Sequence, residues 1–204
     1  MSKIGKKIIT IPSGITVTAN DGRVMVKGPK GELTFQLPLG ISVKVESGTV
    51  AVSVTGLYPP ATAAGHSAPL RSLATGQEKQ AKANWGLSRA IIQNMITGVS
   101  QGFQKVLEFN GVGYKAIAKG KDLELNLGFS HPILFPAPAG IEFNVEKNTI
   151  LKISGTDKEL VGSVAAQIRA LKEPEPYKGH GIKYSDEVIH KKAGKKAVAS
   201  GGAA

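Results

Sequence analysis

Hydrophobic residues fall mainly on every second position through the first half-hundred residues, and again from about residue 103. Val24, Val26, Leu33, Phe35 and Leu37 alternate with polar residues around a Gly28-Pro29-Lys30-Gly31 turn, and Leu123, Leu125 and Leu127 alternate with Asp122, Glu124 and Asn126. This period-two pattern predicts half-buried antiparallel strands. Asn20-Asp21-Gly22, Ser47-Gly48 and Lys119-Gly120-Lys121 tolerate left-handed backbone, so the strands are expected to meander through tight hairpins.

Two stretches change to a helical period. Trp85, Leu87, Ile91, Ile92, Met95, Ile96 and Val99 form one apolar face, with Arg89 and Gln93 outward. Leu160, Val161, Val164, Ala165, Ile168 and Leu171 form the other, opposite Lys158, Gln167 and Lys172. Thr156 stands three residues before Glu159, a capping-box spacing. One helix is expected to cover one face of the sheet in each half.

The halves repeat. A shift of 100 residues brings Pro38-Leu39-Gly40-Ile41 onto Pro138-Ala139-Gly140-Ile141, Thr49-Val50 onto Thr149-Ile150 and Gly28 onto Gly128. One extra residue in the first copy then lets Gly56 meet Gly155. That period is too long for a solenoid. The expected fold is α+β, two tandem copies of a small antiparallel-sheet-plus-one-helix domain. The first copy spans 1–101, with a long Pro/Ala/Gly/Ser-rich loop at about 56–77; the second spans 102–172. Residues 173–204 form a basic, extended C-terminal segment, expected to end in a disordered arm.

Composition narrows the function classes. Among 204 residues, 26 Lys and Arg oppose 15 Asp and Glu, a net charge of +11 that favours a polyanionic partner. Cysteine is absent, which removes disulfides, thiolate nucleophiles and zinc fingers. No apolar run is long enough to span a membrane, and no apolar core follows the basic start, so neither a membrane nor a secretory signal is expected. His66, His131, His180 and His190 lack metal-binding spacing, and no hydrolase elbow or phosphate-binding loop motif occurs. Gly111-Val112-Gly113 leads into a strand, which suggests a bend or close backbone approach. No catalytic residue, metal, cofactor or small-molecule substrate is expected.

The candidate chemistry is therefore basic. Lys3, Lys6 and Lys7 at one end, and Lys172, Lys178, Lys183, Lys191, Lys192, Lys195 and Lys196 at the other, can neutralise phosphates. The plain alternative is that Lys-rich ends keep a small protein soluble. Tyr177 and Tyr184 lie among these lysines and can stack on bases, or can anchor the segment on the second domain.

Several motifs in order resemble the large-subunit ribosomal protein six family of the bacterial type. They are Asn110-Gly111-Val112-Gly113-Tyr114-Lys115-Ala116, Leu127-Gly128-Phe129-Ser130-His131-Pro132 and, most specifically, Pro174-Glu175-Pro176-Tyr177-Lys178-Gly179-His180-Gly181-Ile182. The Ser2-Lys3-Ile4-Gly5-Lys6-Lys7 start and the Val26-Lys27-Gly28-Pro29-Lys30-Gly31-Glu32-Leu33 hairpin fit too. The resemblance runs from about residue 2 to 192. It implies a structural, non-enzymatic constituent of the large ribosomal subunit that binds large-subunit ribosomal RNA near the sarcin–ricin loop and translation-factor site, beside neighbouring ribosomal proteins. The RNA contact would fall on Tyr177, Lys178, His180 and Lys183, supported by Lys172 and the terminal lysines. The family usually has Lys where His180 stands, and the 56–77 stretch is longer than the family pattern. The expected location is a cytoplasmic ribosome, with an organellar one left open. Two rival classes stay in view: a basic module binding acidic proteins, and an enzyme with an unrecognised site.

Overall fold

The computed structural model describes residues 4–20, 22–46, 48–54, 74–192 and 194. They divide into two compact units. One holds the residues up to Phe103 together with Thr156–Lys158, and the other holds the rest.

In the first unit, β2 (Thr16–Asn20), β3 (Arg23–Gly28) and β4 (Gly31–Gln36) form one antiparallel meander. A second sheet joins β1 (Ile9–Thr10), β6 (Thr49–Val54) and β5 (Ile41–Glu46) in the order β1-β6-β5. The second unit repeats this plan. Its meander is β8 (Lys115–Lys119), β9 (Asp122–Asn126) and β10 (Ile133–Phe135). Its other sheet runs β11-β12-β7-β13, with β11 at Ile141–Glu146, β12 at Ile150–Gly155, β7 at Phe103–Asn110 and β13 at Gly181–Tyr184.

Each copy is thus an antiparallel-sheet-plus-one-helix domain whose strands are split between two small sheets. The break falls at the repeated Pro-x-Gly-Ile. Proline has no N–H for a ladder, and Gly40 and Gly140 take φ of +82° and +86°. Ile41 N then donates to Pro38 O at 3.3 Å and Ile141 N to Pro138 O at 3.2 Å, so the two corners are built alike.

The strand registers correct the uniform shift. The β4/β10 and β5/β11 pairs are displaced by 100 residues: Leu33 and Phe35 face Val26 and Val24, just as Ile133 and Phe135 face Leu125 and Leu123. That equivalence puts Val24 on Leu123, a displacement of 99, so Gly28 does not correspond to Gly128. In the last hairpin Glu46 pairs with Thr49 but Glu146 pairs with Ile150, so the extra residue lies in the second copy. Two successive left-handed residues, Lys147 (φ 54°) and Asn148 (φ 56°), absorb it. Strands keep their inward parity and turns take the insertions, because a one-residue slip would turn every core side chain to solvent.

Helix α1 (Ala74–Ser100) starts inside the stretch expected to be loop, and the rest of that loop, with Gly56, lies outside the described residues. Its buried stripe includes Ala81, Ser88, Ile92, Met95, Ile96 and Val99, at helical spacings of three, four and seven residues. Leu87, assigned to the apolar face, is 52% exposed, since one residue before Ser88 points about 100° away from the stripe. Trp85 Nε1 donates to Val52 O at 2.7 Å, tying the helix to β6. Ile92, Met95, Ile96 and Val99 of α1 pack in one core with Ile9, Val17, Val24, Val26, Ile41, Val50 and Val52. Helix α2 (Lys158–Leu171) buries Val161, Val164, Ala165 and Ile168. Because it begins at Lys158, Asp157 rather than Thr156 precedes its first turn; Asp is also a favoured capping type.

Candidate nucleic-acid interface

Past α2 the chain makes a loop closed by its own backbone. Ile182 N donates to Lys172 O at 2.8 Å, Glu175 N to His180 O at 2.9 Å, and Gly179 N to Glu175 O at 3.1 Å. The glycines of the motif have separate causes. Gly179 adopts φ of +78°. Gly181 adopts φ of +141°, and a Cβ there would lie 2.6 Å from both Glu173 O and Pro174 Cα.

From Gly181 the chain enters β13 and pairs antiparallel with β7, Gly181 opposite Asn110 and Tyr184 opposite Leu107. The segment bounded at 173–204 from sequence thus begins by supplying an edge strand to the second unit's sheet. Alternation dictates the result: Ile182 is fully buried, while Lys183 sits opposite Glu108 and pairs with its carboxylate at 2.9 Å. Tyr184 carries Lys105 Nζ 5.4 Å and Arg169 Cζ 5.9 Å from its ring centroid, the anchoring role left open by the sequence.

Ser185 N reaches Val106 O at 3.2 Å and Glu187 N donates to Tyr184 O at 3.1 Å, so the chain turns back. The Glu187 carboxylate holds this turn. It accepts Arg169 Nη2 at 2.6 Å and Nε at 3.0 Å, and Tyr184 N at 3.2 Å. The Arg169 hydrogen bonds, helped by the Tyr184 amide, hold its pKa below the ordinary glutamate value against the opposing effect of burial. Lys192 N then donates to Pro176 O at 2.8 Å, closing the return.

The two passes of chain and the end of β7 enclose a cleft of about 590 Å³. Lys178, His180, Lys183 and Lys191 line it with Asn110, Glu187, Val188 and Ile189. Four of the sequence-proposed residues thus converge. Among the described residues neither Lys178 nor Lys191 forms an ion pair, whereas Lys183 is held by Glu108.

The other candidates are placed elsewhere. Tyr177 is 56% exposed beside the cleft without lining it, and Lys192 follows its wall. Lys172 lies over the Phe129 ring at 5.1 Å. Lys6 and Lys7 are exposed in the first unit, where Lys7 O accepts Arg89 Nε at 3.3 Å. Lys3, Lys195 and Lys196 lie outside the described residues. In the lining of the cleft, Gly111 meets the expectation of close approach, since a Cβ there would sit 2.8 Å from the Tyr114 ring. Sequence reasoning did not assign Glu187, Arg169 or Val188 to the site. The only signal was the Asp186-Glu187 pair interrupting a lysine-rich stretch.

Among the described residues no cluster of three or more His, Asp or Glu side chains could hold a metal, and no helix is long and apolar enough to cross a membrane.

A family model described as ribosomal protein L6 matches residues 11–56 and 110–185. Large ribosomal subunit protein uL6 of Novosphingobium aromaticivorans is 48% identical over 196 residues, 96% of this chain and 99% of the relative. Its namesake in Nitratiruptor sp. is 48% identical over 199 residues, with 97% and 99% covered. That of Helicobacter hepaticus is 44% identical over 195 residues, covering 96% and 98%.

Proposed function

Since the chain belongs to the ribosomal protein L6 family, it is a structural constituent of the ribosome and not an enzyme, and we propose that it binds large-subunit ribosomal RNA through the Lys178–Lys191 cleft. The observation that carries this reading is the convergence of Lys178, His180, Lys183 and Lys191 on one concave surface. Phosphates entering there meet two ammonium groups that form no ion pair among the described residues, and release counterions. Lys183 contributes less, because Glu108 already balances it. Exposed Tyr177 is a stacking surface at the rim, and His180 is a hydrogen-bonding group at the position where the family usually has Lys.

The division of labour follows the duplication. Residues 1–101 serve as the framework copy, 102–172 as the copy beside the RNA, and 173–204 as the gripping segment, with Lys3, Lys6, Lys7, Lys172, Lys192, Lys195 and Lys196 as supporting contacts. The resemblance also supports a position near the sarcin–ricin loop, close to where translation factors dock and against neighbouring ribosomal proteins.

The test is a salt series of binding to large-subunit ribosomal RNA beside an unrelated duplex of equal mass. Joint K178A and K191A substitution should weaken ribosomal RNA binding and lower the slope of log affinity against log salt by about two units. An unchanged slope would remove these lysines from the interface, and equal affinity for both RNAs would leave only a polycation. Binding to acidic proteins that survives nuclease would favour the rival module.

A further inference from the structure

Glu187 is an acid on the wall of a basic cleft, where simple electrostatics assigns it a repulsive effect on phosphate. Its oxygens, however, face inward to the fold. One takes Arg169 Nη2, and the other takes both Arg169 Nε and the Tyr184 amide. Arg169 stands on α2, eighteen residues earlier, so this bidentate fork fastens the returning chain to a rigid helix. Among the described residues, that return is also tied by the backbone bonds Ser185 N to Val106 O, Glu187 N to Tyr184 O and Lys192 N to Pro176 O. Val188, Ile189 and Lys191, which form one side of the cleft, all lie between the fork and the last of these ties.

We propose that Glu187 is a positioning residue for RNA binding, its fork with Arg169 holding the 185–192 return so that Lys191 faces Lys178 and His180 across the cleft. This rests on the RNA-binding role of the cleft. The two readings of Glu187 have opposite signs. A repulsive acid, once removed, leaves a tighter complex; a fastening acid, once removed, frees Lys191 from its station and leaves a weaker one.

The experiment measures binding of the full chain to large-subunit ribosomal RNA across a salt series for E187A, R169A, the R169A and E187A double variant, and K191A. Melting curves ensure that every measurement is made where the chain is folded. E187A is expected to weaken binding roughly three- to tenfold at physiological salt and to lower the salt slope by about one unit, as K191A does. The double variant, whose net charge equals that of the parent, should be no weaker than R169A alone, because one shared contact is lost only once. Tighter or unchanged binding by E187A overturns the proposal. So does weaker binding with an unchanged slope, the signature of a smaller folded fraction. If E187A does not fold, E187Q is read the same way, since it keeps an acceptor for the Tyr184 amide. Should K191A also leave affinity and slope untouched, the cleft itself is not the RNA site, a failure distinct from that of the fork.

Discussion

Replacing Gly181 by alanine tests how the Pro-x-x-Tyr-Lys-Gly-x-Gly segment is held together. Two costs add at this position. The φ of +141° is a conformation that side chains with a Cβ rarely adopt, worth about 1–3 kcal/mol. The new methyl carbon would also lie 2.6 Å from Glu173 O and Pro174 Cα and 2.8 Å from Glu173 C, well inside ordinary contact. All three are backbone atoms on a proline-stiffened stretch, so no side chain can swing aside, and overpacking costs about 1–3 kcal/mol more. G181A should therefore lose about 2–6 kcal/mol. Gly179 is the control: it too has positive φ, at +78°, but its nearest neighbour is the flexible Lys191 Cε at 3.6 Å, so G179A should lose only about 1–2 kcal/mol. Trp85 lies in the first unit and does not report on this loop, so the assay is urea unfolding by circular dichroism with hydrogen exchange at the Glu175 and Ile182 amides. Equal losses for the two variants, with both amides still protected in G181A, would refute the reasoning.

Ser88 is fully buried in α1, and its hydroxyl finds no hydrogen-bond partner among the described residues, so S88A should stabilise the first unit by about 1 kcal/mol, read as a higher urea midpoint for Trp85 fluorescence; a lower midpoint would show a hidden partner. The Glu187 carboxylate titrates below the ordinary glutamate value because Arg169 and the Tyr184 amide bind its charged form. A lowered carboxylate pKa gives stability that is complete above the ordinary value and disappears as pH falls through the folded one. The stability gap between the parent and E187Q should therefore be constant from neutral pH down to the ordinary glutamate range and close below it; a gap that widens on acidification would contradict the fork.

Much of the fold was legible because alternation and turn chemistry are local. The corners at Pro38-Gly40 and Pro138-Gly140 could be matched from sequence, and they share both a hydrogen bond and a left-handed glycine. The uniform shift failed where turns differ in length, and a signal was present: it places Val24, a core residue, on Glu124. Leu87 misled because hydrophobicity was weighed without its angle on the helix, while Ser88, a polar residue on the buried stripe, was passed over. Lys178 and His180 were singled out through the motif that carries them, and Lys183 lies just past its end. Glu187 was not singled out, because its meaning depends on Arg169, far along the chain on another element, and on a backbone amide that no side-chain pattern encodes.

The loop from Lys172 to Ile182 is drawn almost wholly in main-chain bonds, with two glycines and two prolines fixing its path. Its outline is therefore written in one set of residues and its charge in another. Lys178 and His180 hang their side chains on that outline, so an exchange at either alters the charge that the surface presents while leaving the main-chain frame in place.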